Sequence, residues 1–310
     1  MNSTKIWFGF FVIFLLAVAI FAPITIRPWI EGKKIIIGGL TLFEGPVPIL
    51  AIENFTTYTS PYHNSCYVSI PDRSMIVRID DIRAFSEASQ VLITELLKNN
   101  VSITLGIIPR QLEEDRQLIL FLKSIKGDPR VEIAQHGVFH NETDNNLTET
   151  NLFEGLNKIE TLLGVKPIVY STPFNNDISP ENKEIIAKYF KGITSGWGIL
   201  KEGSVAEIGH TVSNFNISQN NKTNISDIAK ICEENLDRLN YCIVLLHPQE
   251  FTTNIANPVN VSYEKLQELD SLIISLKKLD ANFVTFKNII TCSNKTNITE
   301  NIEANFLSND

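Results

Sequence analysis

Two histidines, His136 and His140, stand close together in the segment EIAQHGVFHNET and are the first candidates for chemistry. Imidazoles at this spacing can both reach one metal ion when the intervening loop coils like a helical turn. The pair differs from the His-Glu-x-x-His motif of zinc proteases, because Gly137 stands where the glutamate would be. A group that accepts a proton must therefore come from another part of the chain.

The other candidate groups follow apolar segments that are predicted strands. Asp80 and Asp81 close the segment MIVRIDDI, and His247 follows YCIVLL. One carboxylate and two imidazoles suit a catalytic Zn²⁺ and leave a position open for water. We predict that one aspartate binds the metal while the other takes a proton from water. His210 is a reserve candidate for the acid or for a substrate contact, whereas His63 lies in the linker and is expected at the surface.

The elements that position these groups begin at Ser74, where predicted strands start to alternate with predicted helices. Helix starts are indicated by Ser86 and by Ser179-Pro180, and Gly164 is typical of a helix end. The predicted strands cover residues 75–82, 101–108, 131–136, 166–174, 192–196, 205–212, 241–247 and 282–286. This alternation predicts an α/β fold, a parallel sheet covered by helices, and seven or eight strands favour closure as a (β/α) barrel. The candidate groups end predicted strands, where such barrels carry their chemistry.

Composition and charge limit the partners and the compartment. A net charge of −8 without a basic block disfavours nucleic acid as a partner. The uncharged apolar run from Ile6 to Ile26 predicts a membrane anchor, and a cleaved signal peptide is the alternative because Ala17-Val18-Ala19 resembles a cleavage site. Asn-x-Ser/Thr triplets recur along the chain and favour an extracytoplasmic location. We expect a single-pass protein of the cell membrane, or a secreted protein if the signal is cleaved.

The chain divides into four predicted parts. Residues 1–26 are the anchor or signal segment, 27–73 a linker without a separate domain, 74–290 the barrel and 291–310 a polar tail. Four cysteines allow three disulfide pairings. Cys66 precedes the first predicted strand and Cys292 follows the last, and these strands are neighbours in a closed barrel. This pair could therefore join the two ends of the domain.

The segments RIDD, HGVFH, STPF and LLH, in this order, resemble the polysaccharide deacetylases, the NodB-like carbohydrate esterase family. VRIDDI, TLGIIP and QHGVFHN are similar to an uncharacterised branch of that superfamily. The resemblance spans roughly residues 74–290 and is most specific at the Asp-Asp and His-x-x-x-His motifs. It implies a distorted (β/α) barrel and a metal-dependent hydrolase that removes acetyl groups from N-acetylated glycans by attack of a metal-bound water.

The resemblance also implies a role for each motif residue. Asp81, His136 and His140 would bind the metal, expected to be Zn²⁺, while Asp80 would be the general base and His247 the general acid. The sugar groove would be lined by Pro173, Phe174 and Trp197, with a backbone N–H near Phe174 holding the oxyanion.

Two partners that the family pattern contains are absent from their usual places. The family has an arginine before its proline motif to orient the base, whereas this chain has Ser171-Thr172, and Arg78 and Arg83 are candidates to replace it. The family's later aspartate, which orients the acid histidine, is not evident. A catalytically weak or inactive glycan-binding module on the same barrel is therefore the alternative function. A metal hydrolase acting on another amide or ester is a third.

Overall fold

The computed structural model describes residues 30–31, 34–37, 40–44, 64–84, 86–196, 205–209, 211–213, 215–216, 221–222, 225–254 and 260–294. The chain forms two compact units, Met1–Phe55 and Thr56–Asp310. The first contains an antiparallel sheet of three short strands, β1 (Ile30–Glu31), β2 (Lys34–Ile37) and β3 (Leu40–Glu44). Strands therefore occur inside the range that the sequence analysis assigned to a linker.

The second unit is built on a parallel sheet. In chain order its strands are β5 (Ser74–Ile82), β6 (Ile103–Ile107), β7 (Val131–Gln135), β8 (Val169–Ser171), β9 (Gly192–Thr194), β10 (Ala206–Glu207), β11 (Val212–Ser213), β14 (Tyr241–Leu246) and β15 (Asn282–Val284). The spatial order is β10-β9-β8-β7-β6-β5-β14-β11, and β15 also pairs with β5. β5 lies near the centre and is buried almost throughout, as its many β-branched residues indicate. The predicted strands are thus present, with one split in two.

The split strand explains how the sheet curls. The segment 205–212, predicted as one strand, forms β10 at one edge of the sheet and β11 at the other. The Ile208 N–H still donates to Ile193 on β9, at 3.1 Å, and the Thr211 N–H already donates to Ile243 on β14, at 3.0 Å. Three Cα–Cα steps span at most about 11 Å, little more than two strand spacings. The sheet therefore curls until its two edge strands, β10 and β11, lie within about 11 Å of each other where the chain passes between them.

Helices alternate with the strands and cover the sheet. They are α1 (Glu87–Lys98), α2 (Pro109–Leu112), α3 (Arg116–Ile125), α4 (Glu149–Leu163), α5 (Pro180–Ala187), α6 (Ile225–Leu239), α7 (Tyr263–Lys277) and α8 (Phe286–Ile289). Ser86 and Ser179 cap α1 and α5 with their side chains, and Gly164 ends α4 in the left-handed conformation. The apolar faces of these helices and of the strands form the core.

One disulfide joins strands far apart in the sequence, and a second joins a helix to the strand that follows it. Cys66 on β4 (Asn64–Val68) bonds Cys292 on β16 (Ile290–Asn294), and these two strands pair antiparallel. This is the pairing suggested for the ends of the domain. Cys232 on α6 bonds Cys242 on β14. β12 (Phe215–Asn216) and β13 (Asn221–Lys222) form a separate short hairpin.

The predicted anchor, Ile6–Ile26, lies outside the described residues. Within the described ranges, no helix has both the length and the apolar character needed to cross a bilayer. The anchor or signal segment and the domain boundaries therefore stay predictions.

Candidate metal centre and catalytic site

The candidate groups meet at the carboxyl end of the sheet, as the sequence analysis expected. Asp80 and Asp81 lie at the end of β5, His136 directly follows β7, and His247 directly follows β14. Because β14 and β6 flank β5 and β7 is the next strand beyond β6, their ends converge on one mouth. His140 reaches the same place from the loop after β7.

A break in strand pairing lets both aspartates face the mouth, although adjacent strand residues normally point to opposite faces. Pairing of β5 with β6 shifts between Ile79, opposite Leu105, and Ile82, opposite Ile107. Asp81 sits in this shift with a left-handed backbone, φ 60°. Such a conformation costs energy in a non-glycine residue and is typical of functional sites.

Asp81, His136 and His140 form a three-residue ligand set. One ligand atom from each lies within 4.8 Å of the other two. Asp81 Oδ1 is 2.8 Å from His140 Nε2 and 3.5 Å from His136 Nε2. This oxygen is buried and accepts no hydrogen bond of good geometry from the described residues. Buried polar atoms are rarely left without a partner, so the convergence fits a cation held between the three side chains.

Contacts behind the ligands fix their orientation. Gln249 donates to Asp81 Oδ2 at 2.6 Å, which leaves Oδ1 directed at the histidines. His136 Nδ1 lies 3.0 Å from the Ser171 carbonyl oxygen, an arrangement that places Nε2 toward the mouth. Burial alone would raise the pKa of Asp81, but the two histidine rings lower it far below its usual value. The carboxylate is thus the ionised form that metals bind.

The loop that carries both histidines is held by a buried carboxylate. Glu142 accepts hydrogen bonds from the N–H groups of Val138, Phe139 and Asn141, at 2.8, 2.9 and 3.1 Å. Gly137 has a φ of 67°, and a Cβ there would lie 2.4 Å from Glu142 Oε2. Glycine is therefore required at the position where zinc proteases carry their glutamate.

Asp80 is paired with Arg78, which is fully buried on the same strand. Arg78 Nε donates to Asp80 Oδ1 at 3.0 Å, and its Nη2 bonds Oδ2. The remaining guanidinium N–H groups reach Thr194 Oγ1 at 2.9 Å and Asn175 Oδ1 at 2.8 Å. Burial alone would raise the pKa of Asp80, but the charge of Arg78 and the nearby His136 lower it to about 2. Asp80 is therefore ionised and able to accept a proton at neutral pH.

His247 is paired with Glu250, one turn further along the chain. Glu250 Oε1 lies 2.9 Å from His247 Nδ1, and Oε2 accepts from the His247 backbone N–H at 3.1 Å. Burial would lower the pKa of His247, but the charge of Glu250 and its hydrogen bond raise it to about 9. The ring therefore carries a proton at neutral pH, the state that a general acid needs.

Two of the three residues predicted to line the sugar groove, Pro173 and Phe174, lie in the described part of the chain. Phe174 is 58% exposed, and its ring centroid lies 4.6 Å from that of His140. Its backbone is left-handed, φ 58°, which is a strained conformation for a bulky residue. Pro173 is buried beneath this turn. Trp197 and the reserve candidate His210 lie outside the described residues.

Sequence reasoning named Arg78 as a possible substitute for the missing arginine but could not place it, and it missed Gln249 and Glu250. Arg78 had a visible signal, because a residue two positions before Asp80 on a strand shares its face. Glu250 had one as well, since Pro248 favours a helical turn in which residues three apart are neighbours. Gln249 had none, because its contact with Asp81 joins distant parts of the chain. Arg83, the other proposed substitute, is exposed.

Removal of Arg78 is expected to destabilise the fold. Arg78→Met would leave a buried aspartate without its counter-charge, and breaking a buried ion pair costs about 3–5 kcal/mol. The measurement is the free energy of unfolding in urea, compared with the exposed control Arg83→Met. Equal stability of the two variants would contradict the pairing of Arg78 with Asp80.

Solved structures similar to this chain include polysaccharide deacetylases. A peptidoglycan N-acetylglucosamine deacetylase superposes with a TM-score of 0.51 at 14% sequence identity, over 72% of this chain and 91% of that one. A polysaccharide deacetylase from Bacillus cereus gives 0.47 at 12%, over 69% and 92%. A pseudoenzyme of the same carbohydrate esterase family from Bacillus anthracis gives 0.48 at 16%, over 72% and 67%. No family model and no curated protein matches the sequence. The chain thus shares the curled parallel (β/α) fold of the peptidoglycan N-acetylglucosamine deacetylase.

Proposed function

We propose that the protein is a metal-dependent hydrolase that removes acetyl groups from N-acetylated cell-surface glycans. The observation that carries this proposal is the grouping of Asp81, His136 and His140 beside an ionised Asp80, with a protonated His247 at the end of a neighbouring strand. Metal-dependent hydrolysis of an amide uses metal ligands, a general base and a general acid, and this group of residues supplies all three.

The ligand set suits Zn²⁺. Two imidazole nitrogens and one carboxylate oxygen are the mixed donors of catalytic zinc sites, which keep a further position open. Asp81 Oδ1, which accepts no hydrogen bond of good geometry from any residue that the structure describes, is the oxygen that would hold the ion. When bound, such an ion supplies Lewis-acid chemistry, since it lowers the pKa of water and polarises a carbonyl.

The side chains around the ligand set divide the proton transfers between them. Asp80, fixed by Arg78 and by the Ser171 hydroxyl at 3.1 Å, accepts the proton of the attacking water. His247 gives its proton to the nitrogen that leaves as an amine. A backbone N–H at the strained turn around Phe174 holds the negative charge that develops on the acetyl oxygen. Gly106 makes room for the base, because a Cβ there would lie 2.5 Å from Asp80 Oδ1.

The partners of the base and the acid favour an active enzyme over a binding module. The sequence lacks the family's orienting arginine and aspartate at their usual places, which motivated the alternative of an inactive barrel. Arg78 and Glu250 make the corresponding contacts from other positions. Partners of this kind tune the basicity and direction of catalytic groups, as an active enzyme requires.

The pH dependence of the reaction is expected to report on His247. Activity should fall as pH rises through about 9, where the ring loses its proton. Glu250→Gln removes the charge that raises this pKa, so the alkaline limit should move down by about 1–3 pH units. The exposed Glu264→Gln is the control and should leave the limit in place. An unchanged limit in Glu250→Gln would remove His247 from the role of acid.

The contribution of the His247–Glu250 pair to the free energy of unfolding also decreases as pH rises. Because the pKa of His247 is raised from 6.5 to about 9, the pair contributes its full stabilisation below pH 6.5 and loses it as pH rises through 9.

The direct test of the function is release of acetate from an N-acetylglucosamine oligomer by the zinc-loaded protein, with a chelator-treated sample as control. We expect release only with metal. Binding of the oligomer without acetate release, at any metal loading, would instead favour the glycan-binding module.

An extracytoplasmic location is part of this proposal. Two disulfides are typical of oxidising compartments. The acceptor residues Asn100, Asn141, Asn146 and Asn260 of four sequons are exposed. Asn141 follows the ligand His140, and a glycan there would crowd the mouth, so we expect that residue to stay unmodified. The apolar segment at Ile6–Ile26 would attach the domain to the cell membrane.

A further inference from the structure

A second aromatic residue, Phe139, belongs to the loop that carries His136 and His140 and has no part in the proposed chemistry. It directly precedes His140, and its side chain is 43% exposed. Phe174 is also exposed, and its ring lies against the ring of His140. Exposed aromatic faces at a site that accepts sugars offer flat surfaces against which a sugar ring can stack.

The side chain of Arg110 lies over the ring of Phe139. The Arg110 guanidinium carbon lies 5.9 Å from the centre of the Phe139 ring, within the range of a cation–π contact. The Arg110 backbone N–H also donates to the Val138 carbonyl at 3.1 Å, so the segment after β6 is fixed to the metal-binding loop. The arginine is therefore fixed, through its backbone and through the Phe139 ring, to the loop that carries His136 and His140.

The charge of Arg110 is weakly compensated within the described part of the chain. Its nearest carboxylate oxygen belongs to Glu113, at 4.0 Å, and no hydrogen bond joins them. Glu113 instead accepts a hydrogen bond from Lys158 at 3.1 Å. The guanidinium side chain is 50% exposed. Planar N–H donors in this state match a carboxylate, which arginine can bind with two parallel hydrogen bonds.

We propose that Arg110 and Phe139 form a subsite for an acidic sugar, one that carries a carboxylate and neighbours the N-acetylated sugar at the metal. The inference rests on the proposed function and specifies its substrate as an anionic glycan. Phe139 supports the sugar ring and Arg110 binds its carboxylate. The carboxylate can come from a uronic acid or from a lactyl ether such as that of muramic acid, which share this chemistry.

The test compares binding of three oligosaccharides of equal length to the chelator-treated full chain, which does not consume them. One contains N-acetylglucosamine alone, one alternates it with glucuronate, and one alternates it with N-acetylmuramate. We expect at least one acidic oligomer to bind about tenfold more tightly than the neutral one, with a preference that weakens as salt is added. Which acidic oligomer is preferred identifies the source of the carboxylate.

Variants separate this subsite from a general charge effect. Arg110→Gln should reduce the preference to about one while leaving the affinity for the neutral oligomer unchanged. Arg110→Lys should keep part of the preference, because it retains the charge and loses the planar pair of donors. Arg116→Gln, which removes an exposed arginine at the start of α3, is the matched control and should keep the preference.

The outcomes distinguish the subsite from the reaction. Equal affinity for neutral and acidic oligomers, or a preference that survives in Arg110→Gln, would overturn the subsite even if acetate is released. A preference that depends on Arg110 would support the subsite even if the chain releases no acetate.

Discussion

Asp80→Asn is expected to lower kcat for acetate release by about 10³-fold, within the range that general bases contribute. The amide keeps the size of the carboxylate but cannot accept the proton of the attacking water. Asp80 is not in the ligand set, so the amount of bound metal should stay the same. The measurements are initial rates of acetate release and metal content of the purified variant.

The chain provides a matched control for this substitution. Asp128 pairs with Arg130, two residues away, as Asp80 pairs with Arg78, but at a partly exposed site. Asp128→Asn should leave kcat unchanged. Because Asp80→Asn also leaves the buried Arg78 without its counter-charge, the thermal unfolding midpoint of the variant establishes that the loss of rate occurs in folded protein. A folded Asp80→Asn variant with wild-type kcat would exclude Asp80 as the base.

His136→Ala is expected to weaken zinc binding by more than about 100-fold and to remove activity at ordinary zinc concentrations. Substitution of a residue behind a ligand already costs about 10–100-fold in metal affinity, and loss of a ligand costs more. Titration of the metal-free protein with zinc in a competing chelator measures the change.

A histidine in the same mouth serves as the comparison. His247 is buried near the site but is not in the ligand set, so His247→Ala should bind zinc as the wild type does and still lose most of its rate. The two variants together separate metal binding from proton donation. Equal zinc affinity of His136→Ala and the wild type would remove His136 from the site.

Much of the fold and the principal site residues follow from the sequence. Apolar β-branched runs alternate with capped helices, and parallel strands place their carboxyl ends at one edge. That rule brings Asp80, Asp81, His136 and His247 together without any knowledge of their contacts. The preference of zinc for nitrogen and oxygen donors predicts two imidazoles and one carboxylate, and the resemblance to the polysaccharide deacetylases then selects Asp81 over Asp80.

The remaining features depend on contacts between distant segments. The shift of β5 against β6, which turns Asp81 into the mouth, is a property of two paired strands and not of either sequence. The segment around His210 reads as one strand, yet it pairs with opposite edges of the sheet on its two sides. The contact of Gln249 with Asp81 likewise joins residues that only the folded chain brings together.

The measurement that most directly tests the central arrangement is a crystal structure of the zinc-loaded protein with anomalous diffraction at the zinc edge. We expect one strong peak about 2.0–2.2 Å from Asp81 Oδ1 and from the Nε2 atoms of His136 and His140. A zinc ion bound elsewhere, or no peak between these three side chains in protein that contains zinc, would contradict the proposed hydrolase.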